Sequence, residues 1–88
     1  MKLTFKAMVI VRAAGGKAQS KIEIPRYIWQ GHEIMKGDAL SVEIHGRTFG
    51  SKVKGTESQR IFTIPTELRR ELRLHDSEIV EVTIEVAD

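Results

Sequence analysis

The sequence predicts a mainly β protein with two short helices. The expected architecture is a small six-stranded closed barrel made of two pseudo-symmetric strand–strand–helix–strand repeats. Three observations point to it. Residues 20–42 and 60–82 register without a gap at a spacing of 40. Ile24 falls on Ile64, Pro25 on Pro65, Ile28 on Leu68, Ile34 on Leu74, Leu40 on Val80, Val42 on Val82 and Ile44 on Ile84. Identities are few, yet the apolar positions and the proline agree, as a shared backbone requires. Apolar residues also alternate with period two through several segments, the mark of strands buried on one face. Finally, a unit of about 40 residues is too small to bury a core alone, and short sheets need closure to hide their edges. The 88 residues therefore read as one domain, with repeats at about 5–44 and 45–84.

Taken in order, Phe5 to Val11 is apolar and β-branched toward its end, a buried strand. Ala13 to Ser20 is small and polar around a Gly-Gly pair and reads as a flexible loop. Lys21 to Ile24 alternates as a short strand, with Ile22 and Ile24 on one face. Pro25 fixes its own φ and lacks an N–H, which suits the first turn of a helix spanning about Arg26 to Glu33. Met35 to Asp38 is a turn, and Ala39 to His45 is a strand with Leu40, Val42 and Ile44 facing inward.

The second repeat runs through a strand at Thr48 to Val53, interrupted by Gly50. A loop follows from Lys54 to Gln59, then a strand from Arg60 to Ile64. The second helix spans Thr66 to Arg73, with Glu67 in its first turn and Arg73 in its last, both favourable to the helix dipole. After a turn at His75 to Glu78, Ile79 to Ala87 is the clearest strand, with Val80, Val82, Ile84 and Val86 on one face.

Composition narrows the function classes. The absence of cysteine excludes disulfides and thiolate metal sites. It is compatible with a cytoplasmic, reducing setting, and cytoplasmic is the expected location. No apolar run approaches membrane-spanning length, and the first residues lack the apolar core of a signal peptide. Net charge is only +2, but its distribution is uneven. Residues 1–22 carry five Lys and Arg and no acid, whereas 74–88 carry Asp76, Glu78, Glu81, Glu85 and Asp88 and no Lys or Arg. The protein can thus present a positive face, unless the two ends form adjacent strands and neutralise each other.

No enzyme constellation is legible, and no metal or other cofactor is expected. His32, His45 and His75 are scattered. His32 aligns with Leu72 and reads as a partly buried helix residue, and His75 reads as a solvated turn residue. The serines occupy no nucleophile elbow. The basic residues are more informative. On the second helix Leu68 and Leu72 share the inner face. Arg69, Arg70 and Arg73 then share a sector of about 100° on the other side, a set suited to phosphates. Lys17 and Lys21 flank the first loop, and Lys52, Lys54 and Arg60 flank the second. Two basic loops and a basic helix would track a duplex backbone. Tyr27 and Trp29, the only residues of their types, are too close in sequence to share a helix face, so one of them is expected at the surface.

The string Ile64-Pro65-Thr66-Glu67-Leu68-Arg69-Arg70-Glu71-Leu72-Arg73-Leu74, followed by 75–82, resembles the AbrB/SpoVT/MazE family. The stretch Ile24-Pro25 through Leu40 is similar and keeps a Gly37-Asp38 pair where the second repeat has Ser77-Glu78. The resemblance covers about half of each repeat. It implies a swapped-hairpin barrel, usually of two chains, that binds DNA as a transcriptional regulator or antitoxin. It would assign DNA contacts to Lys21, Lys54, Arg60, Arg69 and Arg70. Two departures stand out: the copies are fused, so that one chain would complete the barrel, and the first copy has Tyr27 to Gln30 where the family has acidic and arginine positions. Single-chain cradle-loop barrels of RIFT and double-psi type share such a repeat without being DNA regulators, which leaves the strand order open.

The leading expectation is a non-catalytic protein that binds duplex DNA as a monomer or homodimer through Lys17, Lys21, Lys54, Arg60, Arg69, Arg70 and Arg73. The alternative is a cradle-loop barrel that binds a protein or ligand, motivated by Tyr27 and Trp29.

Overall fold

Alternating burial, broken twice by proline-started helices, produces two copies of one unit in the computed structural model, which describes residues 2–14 and 17–86 and, of Ala14 and Lys17, the backbone alone. The elements are β1 (Lys2–Ala14), β2 (Lys17–Glu23), α1 (Arg26–Gly31), β3 (Ala39–Ile44), β4 (Arg47–Lys52), β5 (Ile61–Ile64), α2 (Thr66–Glu71) and β6 (Ile79–Val86). They form one six-stranded antiparallel sheet in the order β4-β3-β6-β1-β2-β5. The sheet curls into a nearly closed barrel. Its edge strands meet at the Lys54–Ile61 bridge and through a 3.1 Å hydrogen bond that Ser51 Oγ donates to the Thr63 carbonyl. No helix among the described residues is long and apolar enough to cross a membrane.

The register reveals where the pseudo-twofold axis runs. Residues 40 apart meet each other at two places: Ile22 opposite Phe62, and Glu43 opposite Thr83. A sequence repeat whose equivalent residues pair across a ladder is a structural dyad. The first and fourth strands obey a different offset. Ile10 pairs with Lys21 and Lys54 pairs with Ile61, so β4 follows β1 by 44 residues while β5 follows β2 by 40. Phe5 and Val9 thus correspond to Phe49 and Val53, which turn inward alike. The second repeat is four residues shorter between its first two strands. The gapless register of 20–42 with 60–82 therefore does not extend to the leading strands, which are offset by 44.

The core follows the alternation. Val9, Ile22, Ile24, Val42, Ile44, Phe62, Val82 and Ile84 have no exposed surface. Each helix is under two turns long and would not persist in isolation; packing of Ile28, Trp29 and Leu68 holds it in place. Pro25 and Pro65 sit just before the helices, with φ of −56° and −55° and extended ψ, rather than within their first turns. Both helices also stop two residues short of the expected ends. Glu33 and Arg73 each adopt a left-handed φ of 53°, and Ile34 and Leu74 donate back to the carbonyls of Trp29 and Arg69. This is a Schellman-type closure, which satisfies carbonyls that the short helix leaves free.

The largest departure concerns residues 13–20. They do not form a loop: Ala13 and Ala14 belong to β1 and Lys17 to Ser20 belong to β2, paired down to Ala14–Lys17. Only Gly15 and Gly16 separate the two strands, and these lie outside the described residues.

Two glycines give opposite predictions. Gly55 has φ of +128°, and a Cβ there would run into the Gln59 carbonyl. Gly55→Ala should cost about 2–3 kcal/mol in denaturant unfolding. Gly31 ends α1 with open space around it, so Gly31→Ala should instead stabilise by about 0.5 kcal/mol.

Candidate functional site

The charge asymmetry of the sequence is largely cancelled by the fold. β1 and β6 are adjacent, with Lys2 opposite Glu85 and Lys6 opposite Glu81. What remains positive lies elsewhere, at the far end of the β1–β2 hairpin.

β6 pairs with β1 only from Lys2 to Met8, and β5 pairs with β2 only from Ser20 to Glu23. Between them the hairpin continues as a two-stranded ribbon, residues 12–14 paired with 17–19, with no strand of the described residues on either side. Its base is tied down where the Val11 N–H donates to Asp76 Oδ1 at 2.8 Å. Val9, Ser20 and Ile22 are buried, so the alternate pairs Ile10–Lys21 and Arg12–Gln19 face outward. Lys17 starts β2 opposite Ala14; the side chains of that pair lie outside the described residues. Residues 10–22 contain no acid.

Of the seven basic residues expected at a DNA surface, the fold groups several, buries Arg60 and half-buries Arg69. Lys21 is half-buried opposite Thr63, and exposed Lys54 lines a hollow of about 240 Å³ together with Gln19, Thr63 and Thr66. Lys54, the ribbon and the start of α2 therefore adjoin, and α2 packs against β2. Arg70 and Arg73 are exposed, although Arg73 lies beyond the helix rather than in its last turn. Arg69 is not on an exposed face. It is half-buried, its Nη1 donates to the Leu74 carbonyl at 3.4 Å, and its Nε is buried without a partner.

Arg60 is the second correction. It is 8% exposed and does not flank an open loop. Its Nε donates to the Ile34 carbonyl at 3.2 Å, and its Nη1 donates to Thr56 at 2.6 Å and Gln59 at 3.1 Å. The guanidinium carbon lies 4.4 Å from the centre of the Trp29 ring. The cation closes the 55–60 loop onto α1. Its inward placement follows from alternation, because Arg60 is in phase with buried Phe62 and Ile64. Trp29 is likewise buried, so Tyr27 is the exposed aromatic of the pair, at 71%. His32 is exposed and not partly buried, as is His75.

Beside the Trp29–Arg60 stack lies a groove of about 500 Å³, lined by Trp29, Gln30, Glu33, Ile34, Met35 and Arg60. The dyad places a counterpart for each of these residues at the base of the ribbon. Forty residues on from Trp29, Gln30, Glu33 and Met35 stand Arg69, Arg70, Arg73 and His75, and forty before Arg60 stands Ser20. Equivalent positions thus carry Trp29, Gln30, Glu33 and Met35 in one copy and three arginines and a histidine in the other. The exposure of Arg12 and Gln19 follows from the pairing and is not apparent from the sequence. The Gly-Gly pair, two residues between strand-like runs, was the available signal for the hairpin.

Among the described residues no group of three or more His, Asp or Glu is arranged to hold a metal ion. Neither a family model nor a curated protein matches the sequence.

Arg60→Ala removes one donor from each of three carbonyls, of which that of Thr56 keeps the Gln59 N–H, and takes the stacked cation from Trp29. It should cost about 3 kcal/mol in denaturant unfolding. A loss below about 1 kcal/mol would contradict its role in closing the loop.

Proposed function

We propose that this protein is a non-catalytic DNA-binding barrel that engages duplex DNA with the ribbon of β1 and β2 and the adjoining α2 segment. The observation that carries this reading is the ribbon itself, a basic two-stranded projection with no strand of the described residues on either side. Three ladder pairs beyond Val11–Ser20 extend it by about 10 Å. A major groove about 12 Å wide and 8.5 Å deep admits such a ribbon. Arg12 supplies a cation on the ribbon, Lys17 starts its second strand, and Lys21, Lys54, Arg70 and Arg73 would supply cations around its base, where phosphates would run. Arg60 and Arg69 act indirectly, by holding the loop and the helix end. The resemblance of Ile64 to Val82 to the AbrB/SpoVT/MazE family supports a role in transcription, as a regulator or an antitoxin.

Binding to a duplex should weaken steeply with salt, log K falling by about 0.9 per decade of salt for each phosphate neutralised. Arg12→Ala with Lys21→Ala should lower that slope by about two, as should Arg70→Ala with Arg73→Ala. Absence of binding at about 50 mM salt, or binding that ignores salt, contradicts the proposal.

A further inference from the structure

The groove beside α1 holds a buried cation that forms no ion pair with any described residue. The one ion pair among the described residues joins Arg47 to Glu71, far in the chain from Arg60. All hydrogen bonds of Arg60 go to neutral backbone carbonyls, from Nε and Nη1; Nη2 makes none to any described residue. Burying a guanidinium is costly unless a counter-charge or a full set of acceptors repays it. Here carbonyl acceptors meet two of the three nitrogens, no carboxylate of a described residue forms an ion pair with the charge, and Nη2 keeps access to solvent.

The fold does not require this arrangement. At the equivalent helix end Arg69 caps the matching carbonyl, that of Leu74, from within the helix, and the strand position of Arg60 is taken by Ser20. The first copy achieves the same closure with a buried strand arginine stacked on the only tryptophan. That choice builds a concave site of about 500 Å³, within the usual range for small-molecule pockets. Buried Trp29 and Ile34 supply its apolar lining. Met35 is 58% exposed, an apolar side chain left at the mouth. Glu33 also lines the groove, and its charge disfavours a multiply charged anion such as a phosphate ester.

We infer that the Trp29–Arg60 groove is a binding site for a small hydrophobic monocarboxylate. The carboxylate meets the free edge of the Arg60 guanidinium, and an aryl or alkyl body lies on Trp29, Ile34 and Met35. A charge-assisted bond to the fork supplies orientation, and the apolar lining supplies most of the affinity. This site lies on the α1 side of the dyad and is independent of the DNA reading, which uses the α2 side.

Trp29 is the only tryptophan, so its emission reports occupancy directly. The probe is 3-phenylpropionate, titrated to about 10 mM against the intact protein, with neutral 3-phenylpropanamide as the matched control. The acid should produce a saturable change in Trp29 emission and bind at least about tenfold tighter than the amide. Arg60→Gln should erase that preference. Because Arg60→Gln also disturbs the fold, two rim variants carry the test separately. Glu33→Gln should tighten the acid about two- to fivefold and leave the amide unchanged, and Met35→Glu should weaken the acid about tenfold. No saturable change with the acid, equal binding of acid and amide, or rim variants without effect would each overturn the assignment.

Discussion

Val9 and Val53 each exchange two backbone hydrogen bonds with the other repeat, and the barrel hangs on that exchange. Val9 receives Ser77 N–H and donates to Glu78, at 2.7 Å each; Val53 receives Gly37 N–H and donates to Asp38, at 2.9 Å each. Both valines are essentially buried. The turns they grip are tightened from within, since Asp38 accepts from the Met35 N–H and Glu78 from the His75 N–H. Each copy thereby closes the turn of its neighbour, and neither can complete its own core. Sheets this small gain stability from such mutual closure and not from propensity.

Because the clasp and the dyad fix the backbone, the two copies are free to differ where the helices end. Beyond α2 the first hairpin extends into a ribbon, and the helix end beneath it carries Arg69, Arg70, Arg73 and His75. Beyond α1 the shorter 55–60 loop is held down by Arg60, which leaves a groove beside Trp29. The proposed DNA surface and the proposed carboxylate site thus occupy equivalent places in the two repeats, with arginines in one where the other has Trp29, Gln30 and Glu33.

Much of the architecture was legible because it rests on periodic burial. The matching of Ile24-Pro25 with Ile64-Pro65, and the alternation of Ile79 to Val86, report strands and helix starts directly. What was not legible depended on features with weak local signatures. The small residues of Ala13 to Ser20 have little strand propensity, so pairing rather than composition decides their state. The helix ends at Gly31 and Glu71 depend on left-handed Glu33 and Arg73, residue types that do not announce a positive φ. The candidate site suffered most. A basic residue near a loop was read as exposed, whereas Arg60 obeys the strand period and turns inward. The reach of the ribbon depends on where its neighbours stop pairing, which no single segment encodes.

The division of the molecule into two surfaces is tested most directly by amide and indole chemical shifts recorded as duplex DNA is added at low salt. The account predicts changes confined to residues 10–21, Lys54 and 66–77, with the indole of Trp29 and the amides of 29–35 unmoved. Shifts centred on Trp29 and Glu33, or spread evenly over both ends of the dyad, would contradict it.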